Sequence, residues 1–248
     1  MIHTSVGARP SLSARFGAFV LERYPFARKA AVEALNAIGA DELSRSEAID
    51  GARARLGPEL RRRFADVPEA PSDPTPGIPG ASRWSAAIDD LVSACDGFLR
   101  RAAIEASLTA DERREILRGM ALTRATDNRL KALFTSGDVR FGDAPFQGKG
   151  FRSLGQEAIY ATAIRFRRGP AFQHEGGWRG DVIAPLIRDL GAVLAMSPHA
   201  LMVRAVLSAQ MAKAGPPMDG KDLHVGDFGF GILPPAAPLA IGALTIAG

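Results

Sequence analysis

Side chains with the type and spacing that chemistry requires fall in three stretches of this sequence. The first is Arg124-Ala-Thr-Asp127-Asn-Arg129, followed by a glycine-rich stretch at 137–150 and then by Ser153-Leu154-Gly155-Gln156-Glu157-Ala158. Asp127 falls on an apolar helical stripe, where an unpaired carboxylate is costly. Arg124, three residues back on the same side, is its expected partner. Ser153 and Gln156 have the spacing of a helix-capping pair. The second stretch is Asp181-Val182-Ile183-Ala184-Pro185-Leu186-Ile187-Arg188-Asp189-Leu190-Gly191. Its Arg188 stands at a loop-to-helix junction, where a guanidinium fork suits an anion or a neighbouring carboxylate. The third is Lys221-Asp222-Leu223-His224-Val225-Gly226-Asp227-Phe228-Gly229-Phe230-Gly231-Ile232-Leu233. Glycine lets another group lie directly on the backbone because no Cβ intrudes. His224 in this loop is either a hydrogen-bonded structural residue or close to an active site. The role of His174, in an earlier loop, is equally open.

Other chemistries find little support. The four histidines, His3, His174, His199 and His224, lack close metal-ligand spacing. No serine sits in a Gly-x-Ser-x-Gly elbow. The glycines of the Gly226–Gly231 loop fit neither a dinucleotide fingerprint nor a P-loop. The single cysteine, Cys95, excludes an intrachain disulfide and fits a reducing compartment. It lies on an apolar stripe and reads as a packing residue. Lys plus Arg number 31 against 27 acids, a net charge of +4. The densest basic run, Arg61-Arg62-Arg63, is short and closely followed by acids, unlike the basic stripe of a nucleic-acid binder.

Several elements must position these residues. Residues 1–67 read as short helices, at 26–38 and 44–56, the second stopped by Gly57-Pro58. The stretch 68–81, PEAPSDPTPGIPGA, reads as a linker, because proline bars regular helix. Trp84, Ile88, Leu91, Cys95, Phe98 and Ala102 recur every three or four residues and predict a long amphipathic helix. Thr109 and Glu112 predict a capping box opening a helix to about 135. Helices are also predicted at 154–167, 185–196 and 197–215, with a short strand at 182–183. The uncharged stretch 230–248 is about as long as a membrane span. Its prolines and glycines favour a buried, tightly packed helix over an anchor. The amino terminus lacks a secretory signal, so a cytoplasmic protein is expected.

Taken together, the three stretches resemble the α subunit of thiamine-diphosphate-dependent 2-oxo acid dehydrogenases (the E1 component), over roughly residues 109–248. That family has an Arg-x-x-acidic helix, a glycine loop and a Gly-Gln-Glu-Ala helix start. It has an arginine at the position of Arg188, preceded by tyrosine where this chain has Ile187. It also has a glycine-rich, His-containing loop closing on a turn that Gly231-Ile232-Leu233 matches. The resemblance implies that Arg188 contacts the diphosphate of thiamine diphosphate and that Gly231 and Leu233 support its aminopyrimidine. It implies an α/β thiamine-diphosphate-binding fold, here mostly helical with few strands because most of the sheet lies further on. The family's Gly-Asp-Gly motif, which holds Mg²⁺, does not occur by Gly248, so the metal ligands are expected outside this chain and the chain is expected to be a fragment. The activating glutamate belongs to the β part, so no catalytic residue is assigned here. The implied activity is decarboxylation of a 2-oxo acid, of pyruvate or branched-chain type, with acyl transfer to lipoyl. The implied partners are an E1 β subunit or β-type domain and the lipoyl domain of the acyltransferase (E2), with neither nucleic acid nor membrane. The expected organisation is a helical extension at 1–67, a linker at 68–81 and the thiamine-diphosphate part at 82–248. The alternative is a non-catalytic remnant or interaction module of the same ancestry.

Overall fold

A computed structural model describes residues 10–40, 43–65, 77–145, 152–235 and 241–247. The chain is mostly helical, with two small two-stranded sheets, and divides into two compact units, Met1–Leu108 and Thr109–Gly248.

The described residues of the first unit include the α-helices α1 (Leu12–Arg23), α2 (Arg28–Ala37), α3 (Ser46–Arg63) and α4 (Gly80–Ser107). Ser11 opens α1, its hydroxyl accepting from the Ala14 N–H at 3.1 Å. The stripe read on α4 is realised: Ile88, Leu91, Cys95 and Ala102 are buried, and Leu99 joins them. These residues close a core with Phe16, Leu35 and Leu56. The expected stop at Gly57-Pro58 does not occur, and α3 runs through Pro58 to Arg63. Ile49, Ala52, Leu56 and Leu60 continue one buried stripe across the proline. Burying that stripe outweighs the single backbone bond that proline removes. The arginine run at 61–63 is neutralised locally, by Asp89, Glu59 and Glu33 respectively. Burial pushes the Cys95 thiol up to about 12, so the reactive thiolate is scarce at neutral pH.

The boundary between the units falls at Leu108 and Thr109, later than the Pro-rich stretch. The reason is that α4 is a wall of the amino-terminal core and packs on α3. Residues 66–76, most of the expected linker, lie outside the described residues.

The second unit begins with α5 (Ala110–Thr135), whose capping box is present: the Thr109 N–H donates to Glu112 Oε2 at 2.7 Å and the Glu112 N–H to Thr109 Oγ1 at 3.1 Å. A hairpin follows, β1 (Arg140–Phe141) with β2 (Ala144–Pro145). The helix expected at 154–167 is a shorter 3₁₀ helix, Glu157–Ala163, and its side-chain cap is absent. Ser153 instead gives its own N–H to Asp127, which ties the chain to α5 before any helix begins. A second hairpin pairs β3 (Gln173–His174) with β4 (Gly177–Trp178). Two further helices are α6 (Leu190–Met196) and α7 (Ala200–Gln210). Residues 185–189 stay out of α6 because the Asp189 carboxylate accepts from the Leu186 N–H and holds a turn there. Ser197 does not cap α7, which starts at Ala200 after His199. The last helix, α8 (Ile241–Ala247), is not the buried helix expected, since Ile241, Leu244 and Ile246 are exposed. No helix among the described residues is long and apolar enough to cross a membrane.

The core of this unit centres on α6, every residue of which from Gly191 to Met196 is buried. Gly191 lets α6 meet the 3₁₀ helix, because a Cβ there would come within 3.0 Å of Ile159 Cγ2 and of the Tyr160 N. Gly119 does the same for α5, where an added Cβ would overlap the ring of Tyr160, itself 1% exposed. A Gly119→Ala substitution therefore pits helix propensity, worth about 1 kcal/mol in its favour, against overpacking of about 1–3 kcal/mol. We expect a net loss of stability, read by urea unfolding at constant m-value. A stabilised variant would show that Tyr160 can move aside.

Candidate functional site

The site is built on one short piece of extended chain. Ile183 donates its N–H to the Gly231 carbonyl at 2.8 Å, and its own carbonyl accepts from the Leu233 N–H at 2.9 Å. This is a parallel bridge, Ile183 with Ile232, in the segment predicted as a strand. The loop closes on itself beside it, with Asp227 and Ile232 exchanging N–H to carbonyl bonds of 2.7 and 2.9 Å. Asp227 also accepts from the Gly229 N–H at 2.9 Å, which shapes the turn Phe228–Phe230. Burial raises the Asp227 carboxyl above its ordinary range, partly opposed by that N–H.

Of the residues singled out from the sequence, Gly231 and Leu233 are therefore brought together, flanking Ile183. Gly231 is buried and left-handed, φ +66°, a conformation that favours glycine. Its Cβ direction is already filled by the protein itself: a Cβ would overlap Trp178 and the Asp181 carbonyl. The Trp178 indole N–H donates to that carbonyl at 2.9 Å. On its other flank, Gly180 would overlap the same ring if it carried a Cβ. Bare backbone at 231 thus supports a ring, and the ring is an internal tryptophan. Arg188 lies five residues beyond Ile183, exposed, on the turn that precedes α6. The carboxylate at the start of α6 is that of Asp189, the residue next to it.

A cleft of about 30 Å³ opens behind this turn. Pro185, Leu186 and Ile187 line it, together with Gln210, His224 and Val225 among others. The His224 ring is oriented by Asp222, with Nδ1 3.1 Å from Oδ1, and the same oxygen accepts the His224 backbone N–H at 2.8 Å. His174 is exposed on β3, whose Gln173 side chain donates to the Gly229 carbonyl at 2.9 Å.

The first sequence stretch plays a supporting part, with its pairing redistributed. Asp127, 1% exposed, does not pair with Arg124 as expected. It accepts from Arg152 Nε at 2.8 Å and from the Ser153 N–H at 2.9 Å. Arg124 reaches across to Glu157 instead. Partners on the same helix lose to partners across the fold because the fold delivers both a guanidinium and a backbone N–H to one buried carboxylate. Arg152, Trp178 and Gln210 were not singled out from the sequence. Trp178 carried a usable signal, its flanking glycines at 176, 177 and 180; Arg152 and Gln210 carried none. Among the described residues, no group of three or more His, Cys, Asp or Glu is placed to hold a metal ion.

Comparison of the chain with family models, with curated proteins and with solved structures finds no match.

Two acids of this unit titrate far from their ordinary value. The Arg124 guanidinium, with backbone N–H groups, holds Glu157 down at about 2, from 4.5. The Arg165 guanidinium and the Thr109 N–H do the same for Glu112, again to about 2. A folded-state value below the unfolded one means that the fold favours the ionised form. The stabilisation is complete above the unfolded value near 4.5 and is lost as pH falls towards 2. We expect Glu157→Gln to destabilise the protein at pH 7 and the gap from wild type to narrow steadily between pH 4.5 and 2. Urea unfolding at several pH values reads this. A gap that stays constant down to pH 2 would show that the Arg124 contact does not act through charge.

Proposed function

We propose that residues 109–248 are the cofactor-facing part of the α component of a thiamine-diphosphate-dependent 2-oxo acid dehydrogenase. Arg188 supplies the diphosphate contact, and the turn at Gly231 and Leu233 supplies the support for the aminopyrimidine. The single observation that carries the reading is the bridge at Ile183. It bonds directly to both Gly231 and Leu233 and leads within five residues to Arg188, so one backbone ladder anchors both turns. The stretch of chain that carries the resemblance is also the stretch that forms one compact unit, Thr109–Gly248.

Charge suits the anionic end of the cofactor. An exposed guanidinium on a turn can grip a diphosphate with two hydrogen bonds. The ring end fits less well. Trp178 and the Asp181 carbonyl already fill the Cβ side of Gly231. No catalytic step is assigned to residues of this chain. In this reading Mg²⁺ ligands, the activating glutamate and the 2-oxo acid pocket come from elsewhere, including a β subunit or β-type domain. The lipoyl domain of an acyltransferase is the acceptor, and the compartment is the cytoplasm. The packed Trp178 favours a second reading, a non-catalytic interaction module of the same ancestry.

Calorimetric titration of the chain with thiamine diphosphate and Mg²⁺ separates the two. The first reading expects a saturable heat that weakens about ten- to a hundredfold in Arg188→Ala, the size of one charge-assisted bidentate contact. Absence of any binding heat, with the chain folded by circular dichroism, supports the module. Binding indifferent to Arg188→Ala overturns the assigned role of that residue.

A further inference from the structure

The cleft behind the 185–187 turn has the composition of a binding site in its own right. Its walls are largely aliphatic, including Leu190, Val193 and Val206, and among the described residues no Phe, Tyr or Trp lines it. Among the described residues that line it, none is Asp, Glu, Lys or Arg. Of these described residues only His224 can carry a charge, so a charged group entering the cleft loses its hydration with little to offset the loss. Among the described lining residues, the polar side chains are those of Ser153, Gln210 and His224. Gln210 is 6% exposed, and its Oε1 is buried with no hydrogen-bond partner among the described residues. A buried amide oxygen left unpaired is costly, so a ligand or water that satisfies it is favoured. The oxygen is itself buried, so reaching the cleft requires the terminal amide to turn about its last side-chain bond. The cleft measures about 30 Å³, two to three times the ~10–15 Å³ that one water needs on the same measure. It therefore has room for a few heavy atoms.

We propose that this cleft binds a short neutral aliphatic alcohol, or the hydroxyl-bearing end of a longer aliphatic molecule, with the hydroxyl donating to the Gln210 amide oxygen. The aliphatic body packs on Val193 and Val206, and the mouth beside Leu186 leaves the remainder of a longer molecule in solvent. The site is independent of the thiamine diphosphate reading, because Arg188, Gly231 and Leu233 do not line it.

Methyl-resolved NMR titration of the chain with 2-propanol tests this. The expected result is saturable shifts confined to the methyls of Leu190, Val193 and Val206, with intermolecular NOEs from 2-propanol to the two valines. Gln210→Met keeps the length and burial of the side chain and removes the acceptor, so the variant should fold with an unchanged or raised Tm. It should bind 2-propanol about three- to tenfold more weakly, the size of one neutral hydrogen bond. Shifts that rise linearly across the whole surface, or NOEs absent from Val193 and Val206 in the wild type, would overturn the site whether or not the variant folds. Undiminished binding by Gln210→Met would overturn the role of the amide. Titration with thiamine diphosphate has no bearing on either outcome.

Discussion

The second unit depends on one backbone exchange, the two hydrogen bonds that Ile183 makes with Gly231 and Leu233. They join segments nearly fifty residues apart, and each side constrains the other. Residues 181–183 are held at one end by Arg167, whose N–H and guanidinium both bind the Asp181 carboxylate. Residues 227–233 are held by the mutual bonds of Asp227 and Ile232. The left-handed Gly231 turns the chain between them, and Trp178 lies against that turn. Any side chain at 231 would have to displace the indole or the Asp181 carbonyl, and either movement pulls on the bridge. The turn carrying Arg188 and the walls of the cleft then follow from where Ile183 is fixed.

What could be read in the sequence was what neighbouring residues decide. The capping box at Thr109 and Glu112 needs only four consecutive residues, and it forms as written. The stripe on α4 needs only its own period, and its apolar residues are the buried ones. Where distant residues decide, local reading failed in a consistent way. Gly57-Pro58 looks like a stop because proline lacks an N–H, yet Leu60 belongs to the buried stripe and the helix continues to reach it. Ser153 looks like a cap, yet its N–H is taken by Asp127, 26 residues earlier. Arg124 looks like the partner of Asp127, yet Glu157 lies closer to hand once the 3₁₀ helix docks on α5.

The candidate site shows the same division. The need for glycine at 231 was legible, as a place where a ring must meet bare backbone. That Trp178 occupies its Cβ side was not, because Trp178 is brought there by the hairpin of β3 and β4, whose register no local pattern sets. Position 210 is less legible still. A glutamine at the end of an apolar helix is ordinary in a sequence, and only the fold makes its amide oxygen a buried acceptor without a partner among the described residues.

Charge and apolar surface are also divided between the two faces of the 185–190 segment. On the outer side stand Arg188, exposed, and Asp189, whose carboxylate is spent on the Leu186 N–H. On the inner side Pro185, Ile187 and Leu190 face the neutral cleft. A fully charged group belongs to the outer side, where water remains available to solvate it, and is excluded from the inner side by the cost of burial. An aliphatic group has the opposite preference, since only the inner side removes it from water. One turn therefore divides a solvated charged side from an apolar buried side.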